Sequence, residues 1–169
     1  MEMSAASGLA IVQDIELNPL KSSTLGTGLL IDAALKKGAR RILIGIGGSA
    51  TNDGGLGVAL ALGYTFKKAG RPFSPSLDTL LDADQVEKPA ALPACELIVA
   101  CDVDNPLLGP RGATQVYDPQ KGVTDFAWFE QRLAHLADLA RRDLGNDPRD
   151  MPGAGAAGGL GFGLMTFLG

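Results

Sequence analysis

The chain has 169 residues, of which 46% are hydrophobic and only 5% aromatic, and its formal net charge is −4. This length allows one domain with an aliphatic core, and the composition excludes a disordered chain. No run of lysine and arginine stands out, which argues against a nucleic-acid surface. A small anionic substrate is still compatible, because local charge and backbone N–H groups govern such binding more than net charge does.

The cysteines and the chain ends bear on the cellular compartment. Cys95 and Cys101 flank a predicted strand, so roughly 20 Å of extended chain separates them and they cannot form a disulfide with each other. No metal-type cysteine spacing occurs, and a reducing, cytoplasmic location is therefore predicted. Residues 1–12 carry Glu2 and lack the basic region of a signal peptide. Residues 152–169 are uncharged but rich in glycine, which favours a buried helix over a membrane span.

The first half of the chain predicts a helix, a strand, a glycine-rich turn and a second helix. The first helix is expected over residues 25–37, with N-caps at residues 22–24 and Gly38 as its C-terminal glycine. The apolar run at residues 40–46 predicts a buried central strand. The small side chains of residues 54–62 predict a helix that packs closely against the sheet.

The second half continues the alternation. Residues 64–66 and 71–73 predict a β-hairpin, and residues 96–103 predict a second buried strand. Residues 124–144 predict an amphipathic helix capped by Thr124. Strands that alternate with helices indicate an α/β fold, with a mixed sheet flanked by helices.

The main candidate site is the stretch I-L-I-G-I-G-G-S-A-T-N-D-G-G-L-G at residues 42–57. A strand that leads through a polar glycine turn into a helix is a common anion or nucleotide site. No P-loop pattern occurs, and the dinucleotide pattern G-x-G-x-x-G fails at Ala50. The alternative is an ordinary turn in which Asn52 or Asp53 caps the next helix. The candidate anion-binding groups are those of Gly47, Gly48, Ser49, Thr51 and Asn52.

Two carboxylates lie at the end of the second predicted strand. Asp102 and Asp104 lie two residues apart, so they would share one face of an extended chain. A carboxylate at a strand end can act as a base toward an alcohol or hold Mg²⁺. The alternative is turn chemistry before the Asn-Pro pair at residues 105–106. Arg111 and Lys121 follow in a loop that can close over an anion, although each alone is more often a surface charge.

Residues 153–158 match G-x-G-x-x-G, but no strand precedes them. Tight packing of a helix is the better account of this glycine pattern. The alternative is a glycine-rich helix start that lies near the phosphates of a ligand.

Six blocks of the sequence, taken together, resemble the bacterial glycerate kinase family (type I). They follow that family's order and are spread over nearly the whole chain. One departure is Leu108, where many members carry cysteine. The blocks are N-P-L-K-S-S-T-L-G-T-G at 18–28, I-G-I-G-G-S-A-T-N-D-G-G at 44–55, C-D-V-D-N-P-L at 101–107, G-P-R-G-A at 109–113, P-Q-K-G at 119–122 and G-A-G-A-A-G-G-L-G at 153–161.

This resemblance implies ATP-dependent phosphorylation of D-glycerate with Mg²⁺, with 2-phosphoglycerate as the expected product and 3-phosphoglycerate as the alternative. It also implies a partial chain. Residues 1–169 are expected to form a single α/β domain that is inserted into a Rossmann-like domain. The family's P-D-S-F-K-G-S and G-E-G-R blocks do not occur in the chain. An active site between the two domains would make this chain an incomplete enzyme, expected to be inactive alone.

The resemblance also suggests roles for the candidate residues. Asp102 is expected to accept or orient the proton of the glycerate hydroxyl, since phosphoryl transfer depends mainly on positioning and charge stabilisation. The turn at residues 47–52, with Arg111 and Lys121, is expected to hold the glycerate carboxylate or the phosphates. Asp104 or Asp53 is the expected contact to Mg²⁺. No nucleic-acid or membrane partner is expected. The alternative function is a domain that binds a small anion or phosphate without catalysis.

Overall fold

The structure is a computed structural model and describes residues 1–12, 18–117, 121 and 123–169. Within these ranges the chain forms short helices and strands, with 3₁₀ turns at Leu9–Val12 and Leu80–Asp82 and a π-helical turn at Ala140–Leu144. The helices are α1 (Ser4–Ser7), α2 (Leu25–Lys36), α3 (Leu56–Ala61), α4 (Ala113–Tyr117), α5 (Phe126–Leu139) and α6 (Ala156–Phe167). The strands are β1 (Arg41–Gly45), β2 (Thr65–Lys68), β3 (Arg71–Phe73), β4 (Gln85–Glu87) and β5 (Glu96–Ala100).

A parallel pair of strands organises the chain. β1 and β5 pair in register from Arg41 opposite Glu96 to Gly45 opposite Ala100. The N-terminal segment lies along the other side of β1, where the Met3 N–H donates to the Gly45 carbonyl at 2.9 Å. Because β1 and β5 are parallel, both end at the same edge, and the segments that follow them leave that edge side by side.

Only one face of each parallel strand is covered, and that face is buried in β1 and half-buried in β5. Ile42 and Ile44 of β1 are buried, whereas Leu43 between them is 58% exposed. Leu43 pairs with Ile98 of β5, which is 41% exposed. The prediction of two fully buried strands was therefore wrong. A continuous apolar run does not show which side chains face the core, since the pleat sends successive side chains to opposite faces.

A second sheet carries the predicted hairpin. β2 pairs antiparallel with β3 on one side and with β4 on the other. Ala69 and Gly70 at the hairpin tip have φ values of 50° and 74°, as a tight hairpin turn requires. The α/β class is confirmed, with parallel and antiparallel pairing flanked by helices, although the two kinds of pairing lie in separate sheets.

Helices of the core pack closely because glycines lie at their points of contact. Gly28 of α2 lies against α3 so closely that a Cβ there would lie 2.6 Å from the Cβ of Ala61. Gly163 of α6 packs on Gly55, where a Cβ on Gly163 would lie 2.6 Å from the Cα of Gly55. The predicted buried helix at the C-terminal end is confirmed as α6, most of whose residues are buried. In the part of the chain that the structure describes, no helix is long and apolar enough to cross a membrane.

Helix α5 differs from its prediction at both ends. Its N-cap is Asp125 rather than Thr124, and the Asp125 Oδ1 accepts from the Trp128 N–H at 2.9 Å. The α-helical part ends at Leu139, and the π-helical turn that follows leads to Gly145 in the left-handed region. The Asp143 carboxylate in this turn accepts from the Val86 N–H at 2.8 Å, which ties the helix end to β4.

Candidate active site

A cleft of about 420 Å³ opens at the edge where β1 and β5 end. Its walls are the glycine turn after β1, the segment after β5, Lys121 and the start of α6. In sheets with parallel strands, ligands bind outside the carboxyl ends of the strands. The structure thus brings five of the predicted site residues together: Gly47, Gly48, Ser49, Asp102 and Lys121.

The glycine turn presents bare backbone to the cleft. A Cβ at Gly47 would meet nothing within 4 Å, and Gly48 has a left-handed φ of 69°. Two backbone hydrogen bonds fix the turn to the N-terminal segment, from the Leu9 N–H to the Gly48 carbonyl at 2.8 Å and from the Ala50 N–H to the Ser7 carbonyl at 3.0 Å. Leu9 itself lines the cleft, and no motif in the sequence indicated this contact.

The hydroxyl of Ser49 is engaged by the protein itself. Its Oγ donates to the Ala157 carbonyl at 3.2 Å, accepts from the Thr51 N–H at 3.1 Å and lies 2.9 Å from the Thr51 Oγ1. Ser49 and Thr51 are both buried. The Ser49 hydroxyl therefore connects the turn to the start of α6, and the Thr51 hydroxyl pairs with it.

Lys121 brings a positive charge to the cleft although its side chain is almost completely buried. The residue is 2% exposed, and its Nζ donates to the Thr51 carbonyl at 2.6 Å. The rest of the P-Q-K-G block, at residues 119, 120 and 122, lies outside the described residues. Asn52 does not line the cleft, and its Nδ2 donates to the Thr114 Oγ1 at 3.2 Å.

The structure separates the two strand-end carboxylates. Asp102 is exposed and lines the cleft, while Asp104 lies outside the lining and accepts from the Arg111 Nη2 at 3.0 Å. The Asp104 and Arg111 side chains are 76% and 69% exposed. The predicted shared face does not form, because β5 already ends at Ala100. Asp104 and Arg111, predicted for a metal and an anion, thus pair with each other at the surface.

Asp53 lies outside the cleft. Its carboxylate accepts from the Thr24 N–H at 2.8 Å, the Thr24 Oγ1 at 3.0 Å, the Gly55 N–H at 3.1 Å and the Gly57 N–H at 3.3 Å. Burial raises the pKa of Asp53, and this desolvation outweighs the hydrogen bonds, which lower it. Its oxygens tie the start of α2 to the turn before α3. This geometry fits the alternative of a structural cap and weighs against a metal contact.

The start of α6 forms the wall of the cleft opposite the glycine turn. Ala157, Gly158 and Gly159 are left-handed, with φ values of 55°, 68° and 82°. Such a conformation is uncommon for a residue with a side chain, and Ala157 adopts it beside the cleft. A Cβ on Gly158 would overlap the Thr51 carbonyl oxygen. The glycine pattern thus serves tight packing, and it also shapes a cleft wall.

Comparison with known proteins identifies a family that covers the whole chain. The Glycerate kinase family matches the chain over residues 1–169.

The chain belongs to the glycerate kinase family.

Individual relatives in the glycerate kinase family are similar along the whole chain. The glycerate kinase of Bacillus subtilis (strain 168) is 50% identical over 174 residues, which cover 99% of this chain and 46% of the relative. The glycerate 2-kinase of Escherichia coli (strain K12) is 46% identical, covering 100% of this chain and 46% of the relative. A crystal structure of a putative glycerate kinase 2 from Salmonella typhimurium LT2 superposes with a TM-score of 0.90 at 44% identity, over 99% of this chain and 47% of that one. The chain spans less than half the length of these relatives.

Proposed function

We propose that this chain contributes one wall of the active site of a glycerate kinase, which transfers a phosphoryl group from ATP to D-glycerate. The observation that carries the proposal is the cleft at the carboxyl edge of the parallel strands, where Asp102, Lys121 and the bare turn at Gly47 and Gly48 meet. Membership of the glycerate kinase family supports this reaction class.

Each group in the cleft has a role that fits phosphoryl transfer. The exposed carboxylate of Asp102 accepts the proton of the attacking glycerate hydroxyl while the hydroxyl oxygen bonds to the γ-phosphorus of ATP. The bond between that phosphorus and the oxygen that remains on ADP breaks, and ADP is the leaving group. The ammonium of Lys121 and the N–H groups of Gly47 and Gly48 stabilise the negative charge of the glycerate carboxylate or of the transferred phosphoryl group. We assign 2-phosphoglycerate as the product, which the name of the Escherichia coli relative supports.

The side chains of this chain fit a magnesium ion that is bound mainly by the phosphates of the nucleotide. They fit less well a magnesium ion that is bound mainly by protein ligands. No cluster of three Asp, Glu, His or Cys side chains suited to a metal ion occurs among residues 1–12, 18–117, 121 and 123–169. Mg²⁺ commonly needs only one or two carboxylates beside the phosphates of its substrate. Asp102 is a carboxylate in the cleft, whereas Asp104 is paired with Arg111. The Asp53 oxygens accept hydrogen bonds from Thr24, Gly55 and Gly57. A magnesium ion bound beside Asp102 would neutralise part of the negative charge of the ATP phosphates.

The remaining length of the relatives is proposed to supply the other wall. Residues 1–169 then form a single inserted α/β domain, and a Rossmann-like domain of the same protein holds ATP. We expect no turnover from this chain alone, and neither a nucleic acid nor a membrane is a partner. The cytoplasmic location stays a prediction of the cysteine usage.

Turnover measurements test the role of Asp102. In a protein extended to the full length of its relatives, Asp102→Asn should lower kcat by about 10²-fold or more, the range of a lost general base. Asp102 is exposed, so its unfolding free energy should stay within about 0.5 kcal/mol of the unsubstituted protein. The surface substitution Asp32→Asn on α2 is the matched control. Near-normal turnover of Asp102→Asn would remove Asp102 as the base.

The second candidate function is a non-catalytic domain that binds a small anion. The observation in its favour is that the anion-binding groups proposed for the cleft all lie within this chain. Calorimetry on the chain with D-glycerate, phosphate and ATP, followed by a coupled kinase assay of the full-length protein, separates the two functions. Binding of phosphate without any turnover by the full-length protein would favour the binding domain.

A further inference from the structure

Two large apolar side chains remain exposed on one side of the parallel strand pair. Leu43 of β1 is 58% exposed, and Ile98 of β5 is 41% exposed. The two residues are partners in the register of the strands, so their side chains lie next to each other on the same side of the sheet. We call the side of β1 and β5 that Leu43 and Ile98 share the outer sheet face.

Charged groups border the outer sheet face at both ends. At one end Arg41 and Glu96, which are also partners in the register, form a salt bridge of 2.6 Å. At the other end the carboxylate of Glu2 lies so close to Gly45 that it would overlap any Cβ there. An apolar centre with a charged border is typical of a surface that another protein element covers.

An uncovered face is unusual for parallel strands. Parallel pairing occurs almost only where both faces of the sheet are buried, because the connections between parallel strands place helices on those faces. The inner face follows this rule, since Ile42 and Ile44 are buried in the core. Among the described residues, no further strand pairs with β5 along its other edge. The strand pair is thus open on one face and along one edge.

The length of the relatives indicates what covers the outer sheet face. The region matched by this chain is 46% of the Bacillus subtilis glycerate kinase and 46% of the Escherichia coli glycerate 2-kinase. More than half of each relative therefore lies outside the matched region. A second copy of this chain is a less suitable cover, because two aliphatic side chains provide much less than the about 800 Å² per partner of a stable interface. An element of the same chain needs less area, since the covalent connection keeps it at a high effective concentration.

We propose that a helix from the rest of the full-length protein packs its apolar side on the outer sheet face, with Leu43 and Ile98 at the centre of the contact. The outer sheet face is then open in residues 1–169 and covered in the full-length protein. The two strands that lead into the cleft thereby also join this domain to the rest of the protein. The proposal does not depend on the reaction that the protein catalyses.

Hydroxyl-radical footprinting tests the proposal in a protein extended to the full length of its relatives. Leu81 is the matched control, because it is 37% exposed, which is less than the exposure of Leu43 or Ile98. If the outer sheet face stays open, oxidation should therefore be greatest at Leu43 and smallest at Leu81. We expect the reverse order, in which Leu81 is oxidised most and the other two side chains lose most of their oxidation. Oxidation of Leu43 that equals or exceeds that of Leu81 would overturn the proposal.

Photo-leucine cross-linking of the same protein identifies the element that covers the face. This amino acid replaces leucine with little change of shape, and mass spectrometry maps the cross-links that start from position 43. We expect cross-links within one molecule to residues outside 1–169 that lie three or four positions apart, the spacing of one helix face. Cross-links to a segment with the alternating spacing of a strand, or only to residues 1–169, contradict the proposal.

A second copy as the cover gives a different result. Cross-links from position 43 then join two molecules, and the protection of Leu43 decreases when the protein is diluted, which also overturns the proposal. Neither measurement uses kinase activity. A full-length protein that has the expected protection and cross-links but does not phosphorylate D-glycerate sustains the helix contact and overturns the proposed function. A protein that phosphorylates D-glycerate with an oxidised Leu43 does the opposite.

Discussion

Asp53 and Thr24 lie 29 residues apart in sequence, yet the Asp53 carboxylate accepts hydrogen bonds from both the N–H and the hydroxyl of Thr24. The Thr24 Oγ1 in turn accepts from the Val58 N–H at 3.1 Å. The start of α2 and the turn before α3 are thereby joined beneath the glycine turn. Asp53, the acidic residue of the site motif, therefore has a structural role, and this assignment can be tested.

Removing the Asp53 carboxylate should destabilise the fold strongly. In Asp53→Ala the buried N–H groups of Thr24, Gly55 and Gly57 lose their acceptor, and each unsatisfied donor costs about 1–3 kcal/mol. We expect a loss of about 3 kcal/mol or more in the free energy of unfolding, measured by urea denaturation. Asp32→Ala, which breaks an exposed pair with Lys36, should cost less than about 1 kcal/mol. A loss for Asp53→Ala as small as this control would contradict the structural role.

Two glycines have nearly the same backbone conformation but different surroundings. Replacing each by alanine distinguishes the cost of backbone strain from the cost of a steric clash. Gly158 has φ of 68° and touches the Thr51 carbonyl, while Gly145 has φ of 69° and open space around it. Gly145→Ala should cost about 1 kcal/mol, the strain of a left-handed alanine. Gly158→Ala should cost about 3 kcal/mol or more, because the new methyl group also displaces Thr51. Thermal unfolding of both variants measures the difference, and equal losses would show that the contact is unimportant.

The carboxylate of Asp143 should make stability depend on acidic pH. Its hydrogen bond with Arg142 comes first among the causes that lower the pKa of Asp143, and the Val86 N–H lowers it further. A carboxylate whose pKa is lower in the folded state stabilises the protein above its unfolded pKa of about 3.9. That contribution is lost as the pH falls through the lower pKa of the folded state.

Urea denaturation at two pH values measures this contribution. At pH 6, Asp143→Asn should lose about 1 kcal/mol of unfolding free energy, and the difference from the unsubstituted protein should shrink as the pH falls below about 4. Asp104→Asn is the control, because its exposed pair with Arg111 should contribute less than about 1 kcal/mol. A difference for Asp143→Asn that stays the same down to pH 2 would exclude this linkage.

Replacement by threonine should destabilise the fold by very different amounts at two neighbouring residues of β1. Ile44→Thr places a hydroxyl in the core and removes buried methyl groups, so we expect a loss of about 2–4 kcal/mol. Leu43→Thr changes a side chain that is 58% exposed and should cost less than about 0.5 kcal/mol. Chemical denaturation of the two variants measures the contrast. Equal losses would show that the outer face of the sheet is covered.

Local patterns predicted several of the main elements well. The glycine turn, the two strands that flank the cleft and the buried C-terminal helix each have a strong signal in backbone preference or apolar content. The face of β1 was not predictable, because every residue at positions 42–44 is apolar and only the pleat decides which one is buried. The pairing of Asp104 with Arg111 depends on where β5 ends, which sequence patterns locate poorly.

The site roles were harder to predict because hydroxyl and carboxylate groups serve folding and binding equally well. Ser49, Asp53 and Asp102 all have side chains suited to a ligand, and only three-dimensional contacts show which of them the protein engages. Lys121 was one of two cations in a loop, and its burial beside the turn arises from chain packing. Nothing in the sequence indicated the left-handed conformation of Ala157, although the surrounding glycines predicted tight packing of the helix.

The contact between Gly55 and Gly163 has a consequence for the motion of the cleft. With backbone against backbone and a separation too small for any side chain, neither the site turn nor α6 can shift without the other. The two should open together as one cooperative unit, so their amide protons should exchange with solvent at similar free energies of opening. A ligand that enters the cleft should then lose little conformational entropy in ordering this wall.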